Sequence, residues 1–203
     1  MLFKRNADDA DNADFRRFNL FDNQRNAIKI EYQRKSALSA SSAFQKHFEP
    51  QRYKMHALNL PTFDAKIKKI ATGIKIFDPL RRKYVALTPE EWVRQHFVHY
   101  LITEKKYPAS LIVNEAGIKL NSLNKRCDTI VYNHHLEPLM IIEYKEPNVA
   151  ITQQVFDQIA RYNMALRVPY LIVSNGISHY CCRMDYENMS FEYLNEVPEY
   201  GRL

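Results

Sequence analysis

The sequence predicts an α/β fold, a central mixed β-sheet flanked by helices. Three observations lead there. Arg126 to Asn133, Pro138 to Tyr144 and Tyr170 to Ser174 are strand-like runs rich in β-branched and apolar residues. Two stretches, from Pro89 and from Gln153, instead place their apolar residues at helical spacing. The second lies between strand runs, as a strand-to-helix crossover does. At 203 residues with 46% hydrophobic content, the chain can bury one substantial core.

Residues 1–54 mix Asn, Asp, Arg, Gln, Ala and Ser with few apolar anchors, and are expected to form a poorly ordered extension. Residues 55–203 read as the domain. It opens with short basic strands, including Gly73 to Phe77. Thr88-Pro89-Glu90-Glu91 is a capping box, with Thr88 at N-cap, Pro89 at N1 and Glu91 at N3. The helix that follows carries Trp92, His96, Phe97, Tyr100 and Leu101 as its apolar stripe and ends near Lys105-Lys106. The Arg126 run closes in a short polar loop holding His134-His135, so a hairpin with the next run is expected. After the break at Pro147, Thr152 is the expected N-cap of a helix to Leu166, with Val155, Ile159, Tyr162 and Leu166 on one stripe. Asn175-Gly176 is a turn signal joining Tyr170 to Ser174 with a strand through Tyr180 and Cys182.

The Asp128 and Glu143-Tyr144-Lys145 runs carry the chemistry. Period-two geometry sends Glu143 and Lys145 to one side of a strand and Tyr144 to the other. Folding the two runs together brings Asp128 toward them. Two hard carboxylates suit Mg2+, which keeps several waters and takes other ligands from phosphate. A neighbouring lysine can orient the attacking water or offset charge on the phosphate. The same Glu-x-Lys also serves as a solvated edge with an ion pair. Gln158 and Tyr162 are neighbours on the following helix, whose start lies near the end of the Glu143 strand.

With this order of elements the chain resembles the PD-(D/E)xK nuclease superfamily, and more closely the N-terminal nuclease domain of type I restriction enzyme R subunits in a small stand-alone form. The resemblance covers roughly residues 55–184 and implies a restriction-endonuclease-like αβββαβ core. It also implies a Mg2+-dependent endonuclease, with Mn2+ able to substitute. On it, Asp128 and Glu143 match the metal carboxylates, Lys145 the catalytic lysine, and Gln158 with Tyr162 the accompanying Gln-x-x-x-Tyr motif. Glu91 matches the acid that completes the metal shell from the first helix, a role that competes with capping. Cys127 stands where the pattern has proline. Implied partners are DNA, restriction-modification subunits or a second copy of the chain.

Charge is divided unevenly. Residues 55–83 hold 7 Lys/Arg against 2 Asp/Glu, whereas residues 84–203 hold 11 against 14. Lys66, Lys68, Lys69, Lys75, Arg81, Arg82 and Lys83 are candidate phosphate contacts, or equally the guards of a solvated edge hairpin. The acid cluster is expected to repel DNA until a cation binds. No apolar run reaches the roughly 20 residues of a membrane span, the start lacks a signal-peptide core, and a cytoplasmic protein is expected. Three cysteines, two of them adjacent, argue against a disulfide framework, and no C-x-x-C pair completes a zinc site with His179. With glycines only at 73, 117, 176 and 201, neither a nucleotide phosphate loop nor a dinucleotide fingerprint can be written, and no ATP-driven motor is expected in these residues. The second reading of the chain is a nuclease-like module that binds DNA or docks on a protein without turnover, its acidic stretch from Asp185 to Glu199 meeting a basic partner.

Overall fold

The computed structural model describes residues 56–120, 123–152, 154–156, 159, 163, 167–188 and 190–203. Two sheets and a central helix account for most of it. The first sheet is an antiparallel meander of β1 (Ile67–Ile70), β2 (Gly73–Asp78) and β3 (Lys83–Ala86). Helix α1 (Pro89–Thr103) follows directly. The second sheet has six strands in sequence order: β4 (Ile112–Leu120), β5 (Leu123–Tyr132), β6 (Pro138–Tyr144), β7 (Tyr170–Ser174), β8 (His179–Asp185) and β9 (Ser190–Leu194). β6 and β7 run parallel while every other neighbouring pair is antiparallel, so the sheet is mixed. Residues 154–156, 159 and 163, within the crossover from β6 to β7, are helical. The Thr152 carbonyl accepts from the Phe156 amide at 3.1 Å, placing Thr152 where a helix begins.

Alternation along the central strands explains the layering. Met140, Ile142, Tyr144, Ile172 and Cys181 pack with Val93, Phe97, Tyr100 and Leu101 of α1. Ile141, Leu171, Val173 and Cys182 take the opposite face, against Phe156 and Ile159. Strands covered on both faces read as continuous apolar runs, as Leu139 to Ile142 does. The adjacent Cys181 and Cys182 therefore enter different cores, and both are free.

Helix α1 is itself covered twice. The large sheet takes Val93 and Phe97, while Trp92 packs against the small-sheet core of Ile74, Ile76 and Leu87. Every residue from Val93 to Val98 is buried, polar ones included. Thr88 caps the helix by accepting from the Glu91 amide at 3.0 Å.

Further contacts fix the periphery. His179 is buried and neutral, its ring bridging Ser174 Oγ at 2.8 Å and the Asn59 carbonyl at 3.1 Å, and burial pulls its pKa down to about 4. His134 and His135 are exposed in the β5–β6 loop. The stretch from Asp185 to Glu199 is no free acidic tail: it forms edge strand β9 and then buries Val197, while Tyr107 Oη donates to the Pro198 carbonyl at 3.0 Å. Among the described residues no helix is long and apolar enough to cross a membrane.

Gly176 tests the β7–β8 turn. Its φ of +80° suits glycine, and an added Cβ would lie 2.7 Å from Leu58 Cδ2 and 3.0 Å from Val93 Cγ2. Gly176→Ala is expected to cost about 1–3 kcal/mol, read as a fall in thermal midpoint; an unchanged midpoint would refute this account of the turn.

Candidate functional site

The site forms where β4, β5 and β6 meet the start of α1. Its backbone frame is the antiparallel register Thr129↔Ile142, beyond which Asp128 and Glu143 follow on adjoining strands. One Asp128 oxygen accepts from the Tyr144 amide at 2.9 Å and the other from Arg94 Nη2 at 3.0 Å. Glu143 Oε1 lies 3.1 Å from Lys145 Nζ. Burial, then the Asp128 charge, push the Glu143 carboxyl up to about 7, against the opposing pull of Lys145. The structure thus brings Asp128, Glu143 and Lys145 to one end of the sheet. Gln158 and Tyr162 lie outside the described residues.

Glu91, expected to cap the helix or to complete the metal shell, is held by interior partners. It is 5% exposed, and its carboxylate is taken by Arg81, Arg94 and, at 2.7 Å, Gln95 Nε2. Two guanidinium groups hold it in the interior, away from the return bond of a capping box. Glu90 is the helix acid that faces the site. It lines a cavity of about 380 Å³ with Thr88, Pro89, Lys145, Glu146 and Val149. Burial and the Asp128 charge raise its pKa.

Arg81 is likewise corrected as a phosphate contact. Only 11% exposed, it pairs with Asp78 and Glu91 and lies 3.0 Å from Glu115. Asp78 is fully buried and caps the β2–β3 turn, accepting from the Leu80 and Arg81 amides at 2.8 and 3.0 Å. Burial would raise its pKa, but these bonds and those from Asn114 and Arg81 leave it lowered. Asn114, which donates to Asp78, in turn accepts from Thr129 Oγ1 at 2.7 Å. The neighbouring Glu115 holds a φ of +55° inside β4 and is paired with Arg81 and Arg126.

Sequence reasoning misses Glu90, Arg94, Asn114 and Glu115. Arg94 has a visible signal, a cation three residues after Glu91 and four after Glu90. Asn114-Glu115 has a weaker one, a polar pair within the strand-like run from Leu111 to Ile118.

A family profile described as the type I restriction enzyme R protein N terminus (HSDR_N) matches residues 89–198, just over half of the chain. The chain belongs to that family. The segment shared with this R-protein family begins at the first residue of α1 and runs past β9. A solved structure described as a fragment of a putative HsdR subunit of a type I restriction enzyme from Vibrio vulnificus YJ016 is 19% identical, with a TM-score of 0.41. The match covers 57% of this R-protein-family chain and 25% of that one, so the chain spans about a quarter of its length. Among curated proteins no sequence matches.

The charges make two expectations measurable. Glu143 binds a proton more tightly folded than unfolded. Its contribution to stability is therefore present below its ordinary value of 4.5 and lost as pH rises through about 7. Glu143→Gln should raise the thermal midpoint at pH 8 by a few degrees and change it little at pH 4, whereas equal effects at both would refute the shift. Glu91→Gln weakens the partner shared by Arg81 and Arg94 and should cost about 3–5 kcal/mol in chemical denaturation. A loss below about 1 kcal/mol would mean the network is dispensable.

Proposed function

We propose that this domain is a divalent-metal-dependent endonuclease that hydrolyses DNA phosphodiester bonds, built on the PD-(D/E)xK plan. The observation that carries the reading is the convergence of Asp128, Glu143 and Lys145 beside the Glu90 cavity. Family membership supports a restriction-system role, with DNA and restriction subunits as partners.

The donor set fits Mg2+ or Mn2+. Among the described residues no group of three His, Cys, Asp or Glu side chains forms a ready-made metal cage. Mg2+ does not need one, because it is bound through one or two carboxylates plus waters and substrate phosphate. The charge balance also fits. The carboxylates of Asp78, Glu90, Glu91, Glu115, Asp128 and Glu143 face only Arg81, Arg94, Arg126 and Lys145 among the described residues, leaving two negative charges when all are ionised. Burial first, and the Asp128 charge second, raise the pKa values of Glu143 and Glu90.

Asp128 and Glu143 would hold the cation, with Glu90 the helix acid placed to complete its shell. When bound, the cation supplies Lewis-acid polarisation of the phosphoryl oxygen and acidifies the attacking water. Lys145, steadied by Glu143, orients that water and offsets charge developing on the phosphate. Gln158 and Tyr162 are assigned to ordering the site. The buried Arg94 fixes the direction of Asp128.

One observation favours the alternative of a binding module without turnover: both Asp128 oxygens already accept hydrogen bonds. Nicking of supercoiled plasmid separates the two. Cleavage is expected in Mg2+ and Mn2+, none in EDTA, and roughly a hundred-fold less for Lys145→Ala, the scale of losing one charge-stabilising group. Glu90→Gln should cut slowly while keeping the parent's thermal midpoint. Parent-level nicking by both Lys145→Ala and Asp128→Asn would exclude the site, and no cleavage by the parent in any metal would favour the binding module.

A further inference from the structure

The small sheet has an outer face that the nuclease site does not use. Alternation puts Ile74, Ile76 and Asp78 of β2 inward and Lys75 and Phe77 outward. Pairing aligns Lys68, Lys75 and Ala86 in one row across the face, with Phe77 and Tyr84 in the next. The Phe77 amide donates to the Lys66 carbonyl at 2.9 Å, so Lys66 heads that second row.

This face is basic beyond what its structure needs. From residue 65 to 87 the only acid is Asp78, which is fully buried against Arg81. On it Lys66, Lys68 and Lys75 are exposed or half-buried, and among the described residues none has an acidic partner; Lys69 and Lys83, opposite the inward Ile74 and Asp78, belong to the other face. Lysines guarding an edge strand explain Lys68 and Lys69 on β1. They do not explain Lys75, which lies on the central strand with no edge to guard. Lys75 also sits directly opposite Lys68, and like charges at opposed positions destabilise a sheet. The rings organise these cations without neutralising them. Lys68 Nζ lies 3.7 Å from the Tyr84 ring centre and Lys66 Nζ 5.9 Å from that of Phe77, while the two rings meet edge to face at 5.3 Å.

Position matters as much as charge. Arg81, in the β2–β3 turn, is paired with Glu91 and Glu115 in the network that holds Asp128. At the other end of β3, Ala86 leads through Leu87 into Thr88 and Glu90 at the cavity. Both ends of β3 are therefore tied to the site, and its 4 residues span only about 13 Å.

We infer that the outer face of β1–β3 is a sequence-independent docking surface for the phosphate backbone of duplex DNA, delivering that duplex to the neighbouring site. It rests on the nuclease reading for its purpose, but its binding is separable from cleavage. The surface lies ahead of the residues shared with the R-protein family, so that segment does not include it.

The test is fluorescence anisotropy of the full chain on short duplexes of unrelated sequence, in EDTA, titrated with salt. Parent, Lys66→Gln/Lys68→Gln/Lys75→Gln and Asp128→Asn are compared, with thermal melts as the folding control. The triple variant is expected to bind all duplexes roughly ten-fold more weakly or worse. Its slope of log affinity against log salt should be shallower by about one for each phosphate it no longer neutralises. Asp128→Asn should bind no more weakly than the parent while failing to nick. Parent-like affinity and slope in the folded triple variant would overturn the inference. So would a triple variant that loses binding to anionic-lipid vesicles but keeps duplex binding. If the triple variant does not fold, Lys75→Gln against Lys75→Arg carries the test: a weakened Gln beside a parent-like Arg supports the surface, and parent-like binding by both overturns it. A parent that binds through these lysines yet never cuts would remove the nuclease reading and leave the surface standing.

Discussion

Everything at the site depends on two guanidinium groups buried between the sheets. Arg81 and Arg94 have side-chain exposures of 11% and 5%, and both contact Glu91. Taking such charges out of water costs several kcal/mol per ion unless each is paired and hydrogen-bonded. Here the partners come from every surrounding element: Asp78 from the small sheet, Glu91 from α1, Glu115 from β4 and Asp128 from β5. Burial opposes the charge on Arg94, but Glu91 and Asp128 outweigh it. Such pairing serves placement more than net stability. It locks the meander, the helix and the large sheet in one arrangement, and in doing so it aims Asp128.

The strain in β4 belongs to the same network. A non-glycine residue at a φ of +55° costs about 1–3 kcal/mol. Glu115 sustains it because its carboxylate is held by Arg81 and Arg126. In an unbroken strand it would share the outward side of the exposed Val113, away from the buried cations. Network and strain support each other, and both border the residues assigned to catalysis.

The large sheet is legible in the sequence because its inner strands are doubly buried and bounded by strong turn signals. Asn175-Gly176 and Thr88-Pro89 each mark an element's boundary through local chemistry alone. Asp128, Glu143 and Lys145 can be brought together from sequence because a hairpin and period two suffice. Competition for a carboxylate is not legible. Glu91 carries a capping signature and a site signature, and nothing in helical spacing shows that Arg81, from a different element, claims it first. The same blindness hides Glu90, whose neighbour looks better placed, and Glu115, whose backbone departs from the alternation that strand reading assumes. Edge strand β9 escapes for another reason. Its residues are only half-buried or exposed, so Ser190 to Leu194 lacks the apolar continuity of the inner strands.

The network also explains how so acidic a site remains folded. Six carboxylates within one region would repel strongly in a poorly solvated interior. Fixed arginines neutralise Asp78, Glu91 and Glu115, which therefore serve structure. The uncompensated charge falls on Glu90, Asp128 and Glu143, whose counter-charges are Arg94 and Lys145. Arg94 stands at the border, 3.0 Å from Asp128 and 3.6 Å from Glu90. The division is thus set by pairing: Asp78, Glu91 and Glu115 are held by Arg81, whereas Glu90 and Asp128 pair with Arg94 and Glu143 with Lys145.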